Sequence, residues 1–315
     1  MRGLWVAFGM TIKIIGHRGN GRTTETPFAE GKAPQQTLLS FIQAIENGAE
    51  GVEFDVFLTR DQIPVVIDKD MAFGHIISEM DCVDVQRILL PMGQRIPTLR
   101  DTLILLSGIN ESREDMDDLF INIELKGPNV VKPTMNVVDG VAALYRLKKD
   151  TIYYSATDRQ KLSDVRMRDA YANIQPTILT MELFAPEKVH QPGYYVSPRT
   201  AYNKAALGDL RQYIRDMDCC AIDVPTTDIR PQLIETANDL GVGFCTHPSG
   251  PRRFVDCEKT YNALTMLYQY AAKSGRTVAF KVDDIAAGRT VVNAASNQNK
   301  APVPMLERAM GTLFI

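Results

Sequence analysis

The sequence predicts an α/β fold, a (β/α)₈ TIM barrel. Three observations lead to this prediction: short apolar runs alternate with amphipathic segments along the chain, the number of apolar runs is close to eight, and no internal repeat or low-complexity linker divides the 315 residues. Alternating strands and helices form parallel sheets, because a parallel connection needs a crossover helix. With 45% hydrophobic residues, the chain can bury one large core.

The strands are predicted from the short apolar runs: Ile12 to Ile15, Val52 to Leu58, Pro64 to Ile67, Phe120 to Lys126, Ile152 to Ser155, Gln175 to Thr180, Tyr194 to Val196, Ala221 to Val224, Val242 to Cys245 and Thr277 to Ile285. The helices are predicted between them from apolar residues at helical spacing: residues 38–45, 85–90, 99–106, 138–148, 158–168, 207–216, 231–239 and 258–272. Thr37 and Thr98 precede two of these helices as capping residues, and Gly48 and Gly108 follow them as stop signals.

We expect one barrel domain over residues 10–290, an N-terminal extension of residues 1–9 and a C-terminal tail of residues 291–315. The apolar stretch from Leu4 to Phe8 is too short for a signal peptide and lacks a small-residue cleavage site. No apolar run is long enough to cross a membrane.

The net charge and the cysteines indicate which partners and which cellular compartment to expect. The net charge is −3 and the sequence has no long Lys/Arg cluster, so we expect no nucleic-acid partner. The chain has five cysteines, an odd number without a CxxC pair, which favours reduced thiols and a cytoplasmic location. The sequence does not indicate the oligomeric state.

Polar side chains stand at the ends of two predicted strands, in the fragments Gly16–Gly19 and Gly51–Val56. Successive side chains of a strand alternate between faces, so Glu53 and Asp55 point the same way. Two neighbouring carboxylates repel each other and are unfavourable unless a cation lies between them. A histidine and an arginine at the neighbouring strand end, His17 and Arg18, can hold an anion against that cation. The two fragments therefore predict a metal-assisted site for a phosphate ester.

A third strand adds to this site. The run from Phe120 to Lys126 alternates between polar and apolar residues, which puts Glu124 and Lys126 on one face. Functional groups of a (β/α)₈ barrel lie at the carboxyl ends of its strands, so Glu124 is expected beside Glu53 and Asp55. Three carboxylates form a hard oxygen site for a divalent cation, and the sequence does not choose between Mg²⁺ and Ca²⁺.

Four segments of the chain occur in the order and spacing of one enzyme family. They are GHRGN at residues 16–20, PQQTLLSFIQAIENGAEGVEFDVFLTRDQIPVVI at residues 34–67, QRIPTLRDTLILL at residues 94–106 and INIELKG at residues 121–127. Together they resemble the glycerophosphodiester phosphodiesterases, most strongly over residues 12–130. The resemblance implies a TIM barrel of the phosphodiesterase type, a divalent cation, and hydrolysis of a glycerophosphodiester to glycerol 3-phosphate and an alcohol. The implied chemistry is similar to that of the phosphoinositide phospholipase C barrels, in which a hydroxyl of the substrate attacks phosphorus and two histidines exchange the proton.

The resemblance also implies roles for single residues. Three residues match the metal carboxylates of the family: Glu53, Asp55 and Glu124. His17 matches its first catalytic histidine, and Arg18 and Lys126 match phosphate-contacting cations. In this assignment the basic side chains and the metal ion neutralise charge on the phosphate, while an acid and a base move protons.

The chain departs from the family pattern where a second catalytic histidine is expected. That position, directly after the strand Pro64 to Ile67, holds Asp68, and the acidic residue of the family before the first helix is lost in Pro34-Gln35-Gln36-Thr37. Three interpretations of Asp68 remain open. In the first, Asp68 is a general acid whose pKa is raised by burial and neighbouring carboxylates. In the second, it is an additional metal ligand. In the third, it indicates an enzyme that has lost its general acid and has low activity.

Two further histidines are candidates near the barrel mouth. His75 follows in a loop that can fold back over the site, where it would supply the missing acid or base, although an ordinary loop histidine is as good an interpretation. His247 ends a predicted strand and would contact the substrate. Four more residues at predicted strand ends can line the substrate pocket: Ser155, Arg199, Asp223 and Thr226.

The predicted function is metal-dependent hydrolysis of a small-molecule glycerophosphodiester in lipid or glycerol metabolism. Buried carboxylates without a cation destabilise a fold, so their presence favours an active site. One alternative is a catalytically weakened relative that still binds a metal or a phosphorylated ligand, which the missing histidine supports. Another is a phospholipase D- or C-like enzyme on lipid, which needs an exposed apolar or basic rim that the sequence does not reveal.

Overall fold

The structure is a computed structural model, and it describes residues 12–23, 31–113, 117–178, 204–248 and 257–297. Some predicted features lie outside these residues. They are the N-terminal extension 1–9, the strand Tyr194 to Val196, the pocket residue Arg199 and residues 298–315 of the tail.

The described part of the chain contains eleven strands: β1 (Ile12–His17), β2 (Gly51–Leu58), β3 (Pro64–Val66), β4 (Met71–Ala72), β5 (His75–Ile76), β6 (Phe120–Leu125), β7 (Ile152–Ala156), β8 (Asn173–Pro176), β9 (Ala221–Pro225), β10 (Gly243–His247) and β11 (Val278–Val282). Eight of them run parallel around a nearly closed barrel, in the order β1, β2, β6, β7, β8, β9, β10 and β11, and β11 pairs with β1. The predicted (β/α)₈ barrel is confirmed.

The seam between β8 and β9 is the least regular part of the barrel. A single parallel bridge joins Thr177 and Asp223. The backbone N–H of Ile178 donates to the carbonyl of Asp223 at 2.7 Å, and the N–H of Cys220 donates to the carbonyl of Ile174 at 3.0 Å. These bonds bring Asp223, at the centre of β9, next to the end of β8.

Three short strands lie outside the parallel barrel. β3 pairs antiparallel with the end of β2, with Val66 opposite Val56. β4 and β5 form a two-stranded hairpin that turns through Phe73 and Gly74, which both have positive φ. The segment after β2 therefore folds back over the carboxyl ends of the barrel strands. The sequence predicts a strand from Pro64 to Ile67 but does not indicate that it runs antiparallel to β2.

The described helices are α1 (Leu38–Glu46), α2 (Cys82–Val85), α3 (Leu99–Glu111), α4 (Val131–Tyr145), α5 (Arg159–Arg168), α6 (Lys204–Met217), α7 (Pro231–Leu240), α8 (Cys257–Ser274) and α9 (Ile285–Asn297). The side chains of Thr37 and Thr98 accept hydrogen bonds from the backbone N–H groups of Ser40 and Asp101, so both predicted caps are confirmed.

Three predicted helices have other bounds. α3 continues through Gly108 to Glu111, so the prediction that Gly108 stops this helix is wrong. The helix predicted over residues 85–90 is wrong, because α2 ends at Val85 and Leu89 pairs instead with Arg95 in an antiparallel bridge. Pro91 disfavours a helical backbone in the residue before it. The helix predicted over residues 138–148 begins earlier, at Val131. Pro133 lies in its first turn, where a missing N–H does not break a helical hydrogen bond.

Two layers of apolar side chains stabilise the barrel. The larger layer lies between the strands and the surrounding helices and includes Phe41, Phe54 and Phe244. A smaller cluster fills the amino-terminal end of the barrel interior, where the rings of Phe120 and Tyr153 stack with centroids 3.9 Å apart. Polar inward-facing residues are thereby left for the carboxyl-terminal end, where barrel sites are built.

The last described helix crosses a predicted domain boundary. α9 extends from residue 285 to residue 297, across position 290, where the barrel domain was predicted to end. The division into residues 1–9, 10–290 and 291–315 stays a prediction. Among the helices of the described ranges, none has the length and apolar character needed to cross a bilayer.

Candidate active site

The end of β1 brings His17 into the barrel mouth. His17 is buried, its Nδ1 lies 2.9 Å from Oδ1 of Asp283, and its Nε2 lies 3.9 Å from Oε2 of Glu53. Burial lowers the pKa of His17 to about 4, against the opposing effect of Asp283. The imidazole is therefore neutral at physiological pH, with Nδ1 held by a carboxylate and Nε2 directed toward Glu53.

A loop after β1 secures the carboxylate that holds His17. Gly21 has a φ of +88°, and a Cβ there would lie 2.0 Å from the carbonyl oxygen of Asp283, so the close approach requires glycine. It lets Arg22 donate to Asp283 from its backbone N–H and from Nε, each at 2.9 Å. These contacts and His17 hold the pKa of Asp283 well below its usual value, although burial acts in the opposite direction.

Strand register assembles three carboxylates on one inner face. Asp55 of β2 stands opposite Glu124 of β6, and Glu53 of β2 stands opposite His17 of β1. Ligand oxygens of Glu53, Asp55 and Glu124 all lie within 4.8 Å of one another. We call these three residues the acidic trio. The prediction that alternation along β2 and β6 would bring them together agrees with this geometry.

Burial and mutual repulsion change the protonation of the acidic trio. Burial and the charge of Asp55 raise the pKa of Glu53 to about 8, and burial and the charge of Glu124 raise the pKa of Asp55 to about 6. Glu124 differs, because Lys126 outweighs burial and lowers its pKa. Oδ1 of Asp55 is buried and accepts no hydrogen bond from the described residues. A set of close oxygen donors, one of which is a buried oxygen with an ion pair to Lys126 but no hydrogen bond, fits a divalent cation such as Mg²⁺ or Ca²⁺.

Two basic side chains border the acidic trio. Nζ of Lys126 contacts Oε1 of Glu124 and lies 3.3 Å from Oδ1 of Asp55. Arg18 donates from its backbone N–H to Glu53 at 3.0 Å, and its Nε lies 3.5 Å from Oδ2 of Asp55. Both cations are positioned to meet an anionic group that approaches the trio.

Asp68 contacts the second basic side chain. Nη1 of Arg18 donates to Oδ2 of Asp68, at the end of the segment that follows β3. The described residues of this cluster thus place four carboxylates, the acidic trio and Asp68, around two cations, Arg18 and Lys126. When all four carboxylates are ionised they exceed these two cations by two charges, which a divalent cation would offset.

Sequence reasoning missed Gln36 as a site residue. Its Nε2 donates to Oδ2 of Asp55 at 2.6 Å, and its Oε1 accepts from the backbone N–H of Asp55 at 3.3 Å. Gln36 has a φ of +62°, directly before the capping residue Thr37. The only signal was its place in the loop that precedes the first helix, and the preceding residue, Gln35, instead binds Thr23.

A second polar cluster lies on the opposite side of the barrel interior. Oδ2 of Asp223 accepts from Nζ of Lys281 at 2.7 Å and from Oγ1 of Thr177 at 3.2 Å, and Oδ1 of Asp223 lies 3.0 Å from Nδ1 of His247. We call these four residues the Asp223 network. Lys281 and His247 lower the pKa of Asp223 against the opposing effect of burial. Lys281 also escaped the sequence analysis, although alternation along the predicted last strand puts it on the face of Asp283.

The remaining predicted site residues are spread around this centre. His75 is exposed on the β4–β5 hairpin and takes no part in the hydrogen bonds given above for the described barrel mouth. Ser155 accepts a hydrogen bond from Asn122 at 2.9 Å inside the barrel, and the hydroxyl of Thr226 donates to the carbonyl of His247 at 3.2 Å. The structure thus groups seven predicted residues: His17, Arg18, Glu53, Asp55, Asp68, Glu124 and Lys126. His247 lies across the interior in the Asp223 network.

A cavity of about 530 Å³ is lined by Gln36 and Asp68, which contact Asp55 and Arg18 respectively. Most of its other lining residues are apolar and include Met71 and Phe73 of the hairpin, whereas Lys69 is charged. Met71 is 71% exposed and Phe73 is 59% exposed. The hairpin therefore gives the barrel mouth an apolar edge.

Comparisons with known proteins match this architecture. The profile of the glycerophosphoryl diester phosphodiesterase family matches residues 17–242. A glycerophosphodiester phosphodiesterase of Caldanaerobacter subterraneus subsp. tengcongensis is 27% identical over 136 residues, which are 39% of this chain and 49% of the relative. One of Bacillus altitudinis is 24% identical over 195 residues, 58% of this chain and 71% of the relative. The first relatives are thus matched over about half of their length.

Solved structures share the fold. A phosphodiesterase of Oleispira antarctica, solved in complex with the product sn-glycerol-3-phosphate, superposes with a TM-score of 0.62 at 16% identity, over 89% of this chain and 96% of that one. A glycerophosphodiester phosphodiesterase of Parabacteroides distasonis superposes with a TM-score of 0.61 at 15% identity, over 90% of this chain and 98% of that one. At such identities the comparison establishes the barrel fold.

Proposed function

The chain belongs to the glycerophosphoryl diester phosphodiesterase family, and from this we propose that it hydrolyses a glycerophosphodiester to glycerol 3-phosphate and an alcohol. The observation that carries the proposal is the acidic trio, buried beside Arg18 and Lys126 at the carboxyl ends of the barrel strands. A divalent cation would offset the negative charge of this cluster, and an anionic phosphodiester would bind between that cation and the two basic side chains.

The acidic trio would hold the cation, and its oxygen donors suit Mg²⁺ and Ca²⁺ alike. A bound divalent cation supplies Lewis-acid polarisation of a phosphoryl oxygen. Arg18 and Lys126 would bind the other phosphate oxygens and stabilise the charge that spreads over them during phosphoryl transfer. Asp68, in contact with Arg18, would orient the guanidinium.

His17 would move the proton of the attacking hydroxyl. Asp283 fixes the ring through Nδ1, so that Nε2 is directed into the trio at 3.9 Å from Glu53. A neutral imidazole in this orientation can accept a proton as the oxygen attacks phosphorus. This role agrees with the resemblance of the GHRGN segment to the family motif.

The direct test is release of glycerol 3-phosphate from glycerophosphocholine, glycerophosphoethanolamine and glycerophosphoglycerol, with Mg²⁺, with Ca²⁺ and with a chelator. We expect cation-dependent release by the wild-type chain and its loss in Glu53→Gln. No release from any ester with either cation would refute the proposal. Retained cation binding without release would instead identify a non-catalytic relative.

A second candidate substrate class is favoured by the apolar cavity. Its volume of about 530 Å³ lies in the usual range of ligand pockets, and its lining includes Gln36, which binds Asp55 of the trio. A glycerophosphodiester that carries an acyl chain would place the chain between the hairpin and Leu90. The exposed hairpin provides the apolar rim that a lipid-directed phosphodiesterase needs.

Phe73→Ser tests this second candidate. We expect hydrolysis of an acylated glycerophosphocholine in mixed micelles to fall about 10- to 100-fold, because burial of one aromatic side chain contributes roughly 1.5–3 kcal/mol. Hydrolysis of glycerophosphocholine should stay unchanged. Met167→Ser, at an exposed apolar position on α5 outside the cavity, is the control. Equal rates of Phe73→Ser and wild type on the micellar ester would exclude the acyl subsite.

The thiols support a cytoplasmic location, which we include in the proposal. The four cysteines whose side chains are described are free: Cys82, Cys219, Cys220 and Cys245. Free thiols are typical of reducing compartments.

A further inference from the structure

The proposed hydrolysis needs a proton donor for the departing alcohol, and the position at which the family has its second histidine holds Asp68. We propose that His247, oriented by Asp223, is this general acid. The inference rests on the proposed function and adds to it a catalytic residue on the opposite side of the barrel mouth.

Other candidates for the proton donor are less suited. Arg18 donates a hydrogen bond to Asp68, so this carboxylate acts as an acceptor that orients the guanidinium. The chain has four histidines. Of these, His17 is positioned toward Glu53, His75 is exposed on the hairpin, and His190 lies outside the described residues.

His247 is directed into the barrel mouth by its position in β10. Cys245, two residues earlier, belongs to the buried cluster inside the barrel. Because strand side chains alternate, His247 shares that inward face, one layer closer to the mouth. Its side chain is 21% exposed, against 1% for Asp223, so the ring extends from the interior toward the opening.

Asp223 determines which nitrogen of His247 can give up a proton. Lys281 is 2% exposed and pairs with Asp223 at 2.7 Å, which keeps this carboxylate ionised. An ionised carboxylate only accepts hydrogen bonds, so Nδ1 of His247, 3.0 Å away, carries the hydrogen between them. Nε2 is then the nitrogen that binds and releases a proton, and it points away from Asp223. Asp228 is a further acidic neighbour of His247.

His17 and His247 enter the barrel mouth from two strands that are not neighbours. β1 and β10 both pair with β11, so two strand intervals of about 4.8 Å separate their backbones. Continued along β11, the register sets His17 beside Asp283 and His247 beside Lys281, an offset of two residues. An in-line displacement needs a base on one side of phosphorus and an acid on the other, and side chains from two separate strands meet that need.

The proton balance of the step is complete. The attacking hydroxyl oxygen forms a bond to phosphorus and loses its proton to Nε2 of His17. The bond between phosphorus and the alcohol oxygen breaks, its electron pair stays on that oxygen, and Nε2–H of His247 gives the oxygen a proton. When the attacking hydroxyl belongs to the glycerol, the product of this step is a cyclic phosphate. Water then opens it to glycerol 3-phosphate: the water gives a proton to Nε2 of His247, and His17 returns its proton to the glycerol oxygen, which restores both side chains.

The experiment compares two esters that differ in the need for an acid. Choline must leave glycerophosphocholine as a protonated alcohol, whereas a nitrophenolate leaves glycerol 3-(p-nitrophenyl phosphate) without one. We expect His247→Gln to lower kcat about 10²- to 10³-fold on glycerophosphocholine, in the range of general acid catalysis, and less than tenfold on the nitrophenyl ester. Glutamine keeps an N–H donor for Asp223, and unfolding of the variant is followed by circular dichroism.

The other outcomes overturn the assignment. An equal loss on both esters would make His247 a positioning residue, and no loss on glycerophosphocholine would remove it from the reaction. A loss restricted to glycerophosphocholine in His75→Gln, but not in His247→Gln, would give the role to His75. If the wild-type chain hydrolyses neither ester, the proposed function itself fails and the assignment fails with it.

Discussion

The barrel mouth holds two groups of carboxylates, and their surroundings shift the pKa values of the two groups in opposite directions. Glu53 and Asp55 of the acidic trio are fully buried and have pKa values raised to about 8 and about 6, because burial and neighbouring carboxylates act together. Asp223 and Asp283 are also buried, but partners on other strands and on the loop after β1 keep the pKa of both below the usual value.

This difference in pKa distinguishes the carboxylates that can bind a cation from those that hold neighbouring side chains in place. Lys281 and His247 compensate Asp223, and Arg22 and His17 contact Asp283, so both carboxylates have their partners within the chain. When all three are ionised, the carboxylates of the acidic trio outnumber Arg18 and Lys126, and in the absence of a cation the raised pKa of Glu53 relieves this excess. A compensated carboxylate orients a neighbour such as a histidine, whereas an uncompensated group binds a cation.

The largest effect is expected from Glu53→Gln. The change removes one oxygen ligand from the trio, and we expect kcat on glycerophosphocholine to fall about 10³-fold. The rise in melting temperature that Mg²⁺ or Ca²⁺ produces should disappear at the same time. Glu46→Gln, on the exposed end of α1, is the matched control and should keep both properties. A cation-induced rise that persists in Glu53→Gln would place the cation elsewhere.

Asp223→Asn should have the largest effect on stability. It leaves the buried ammonium of Lys281 without its partner at 2.7 Å, and loss of one member of a buried pair destabilises by about 3–5 kcal/mol. Glu53→Gln, measured with chelator at pH 7, should change the free energy of unfolding little, since Glu53 has a pKa of about 8 and is mostly protonated there. Urea denaturation of both variants measures the contrast. Equal destabilisation by the two changes would show that the two groups of carboxylates do not differ in their contribution to the free energy of unfolding.

The acidic trio should also make the metal-free protein less stable as pH rises. A carboxyl group whose pKa is raised by folding contributes stability at low pH and loses it as pH approaches the folded-state value. His17 has the opposite effect between about 4 and 6.5, because folding lowers its pKa. Above pH 6.5 Glu53 dominates, so the unfolding free energy should fall by about 1–2 kcal/mol between pH 6.5 and 8.

Urea denaturation in the presence of a chelator measures this decrease. Glu53→Gln should flatten it, and Mg²⁺ or Ca²⁺ added to the wild-type protein should do the same. The difference between variant and wild type is the relevant quantity, because other titrating groups contribute equally to both. A wild-type stability that rises from pH 6.5 to 8 relative to the variant would contradict the raised pKa of Glu53.

The sequence predicted the acidic trio because a strand has a simple period. Alternation along β2 puts Glu53 and Asp55 on one face, and the order of parallel strands puts Glu124 opposite Asp55. The barrel itself followed from the alternation of strands and helices. Local patterns of this kind need no knowledge of distant contacts.

Contacts between distant parts of the chain could not be predicted in the same way. Asp283 meets His17 across 266 positions of sequence, and Lys281 meets Asp223 across 58. Such pairs depend on closure of the barrel and on loop conformation. The failed helix at residues 85–90 has a similar origin, because the pairing of Leu89 with Arg95 replaces it. The sequence leaves Asp68 open to three interpretations and gives no indication of its contact with Arg18, which lies 50 positions away.

The smallest effect is expected at Gln36, a neutral side chain whose amide supports Asp55 of the acidic trio. Gln36→Met keeps the size of the side chain and removes the amide that binds Asp55 at 2.6 Å. A net hydrogen bond contributes about 1 kcal/mol, so we expect a decrease of that size in stability and a loss of less than tenfold in kcat. Gln212→Met removes a similar amide from Asp216 on the exposed face of α6 and should leave kcat unchanged. If both variants reduce kcat equally, Gln36 does not orient Asp55, and the carboxylates of the trio depend on the cation and the two basic residues alone.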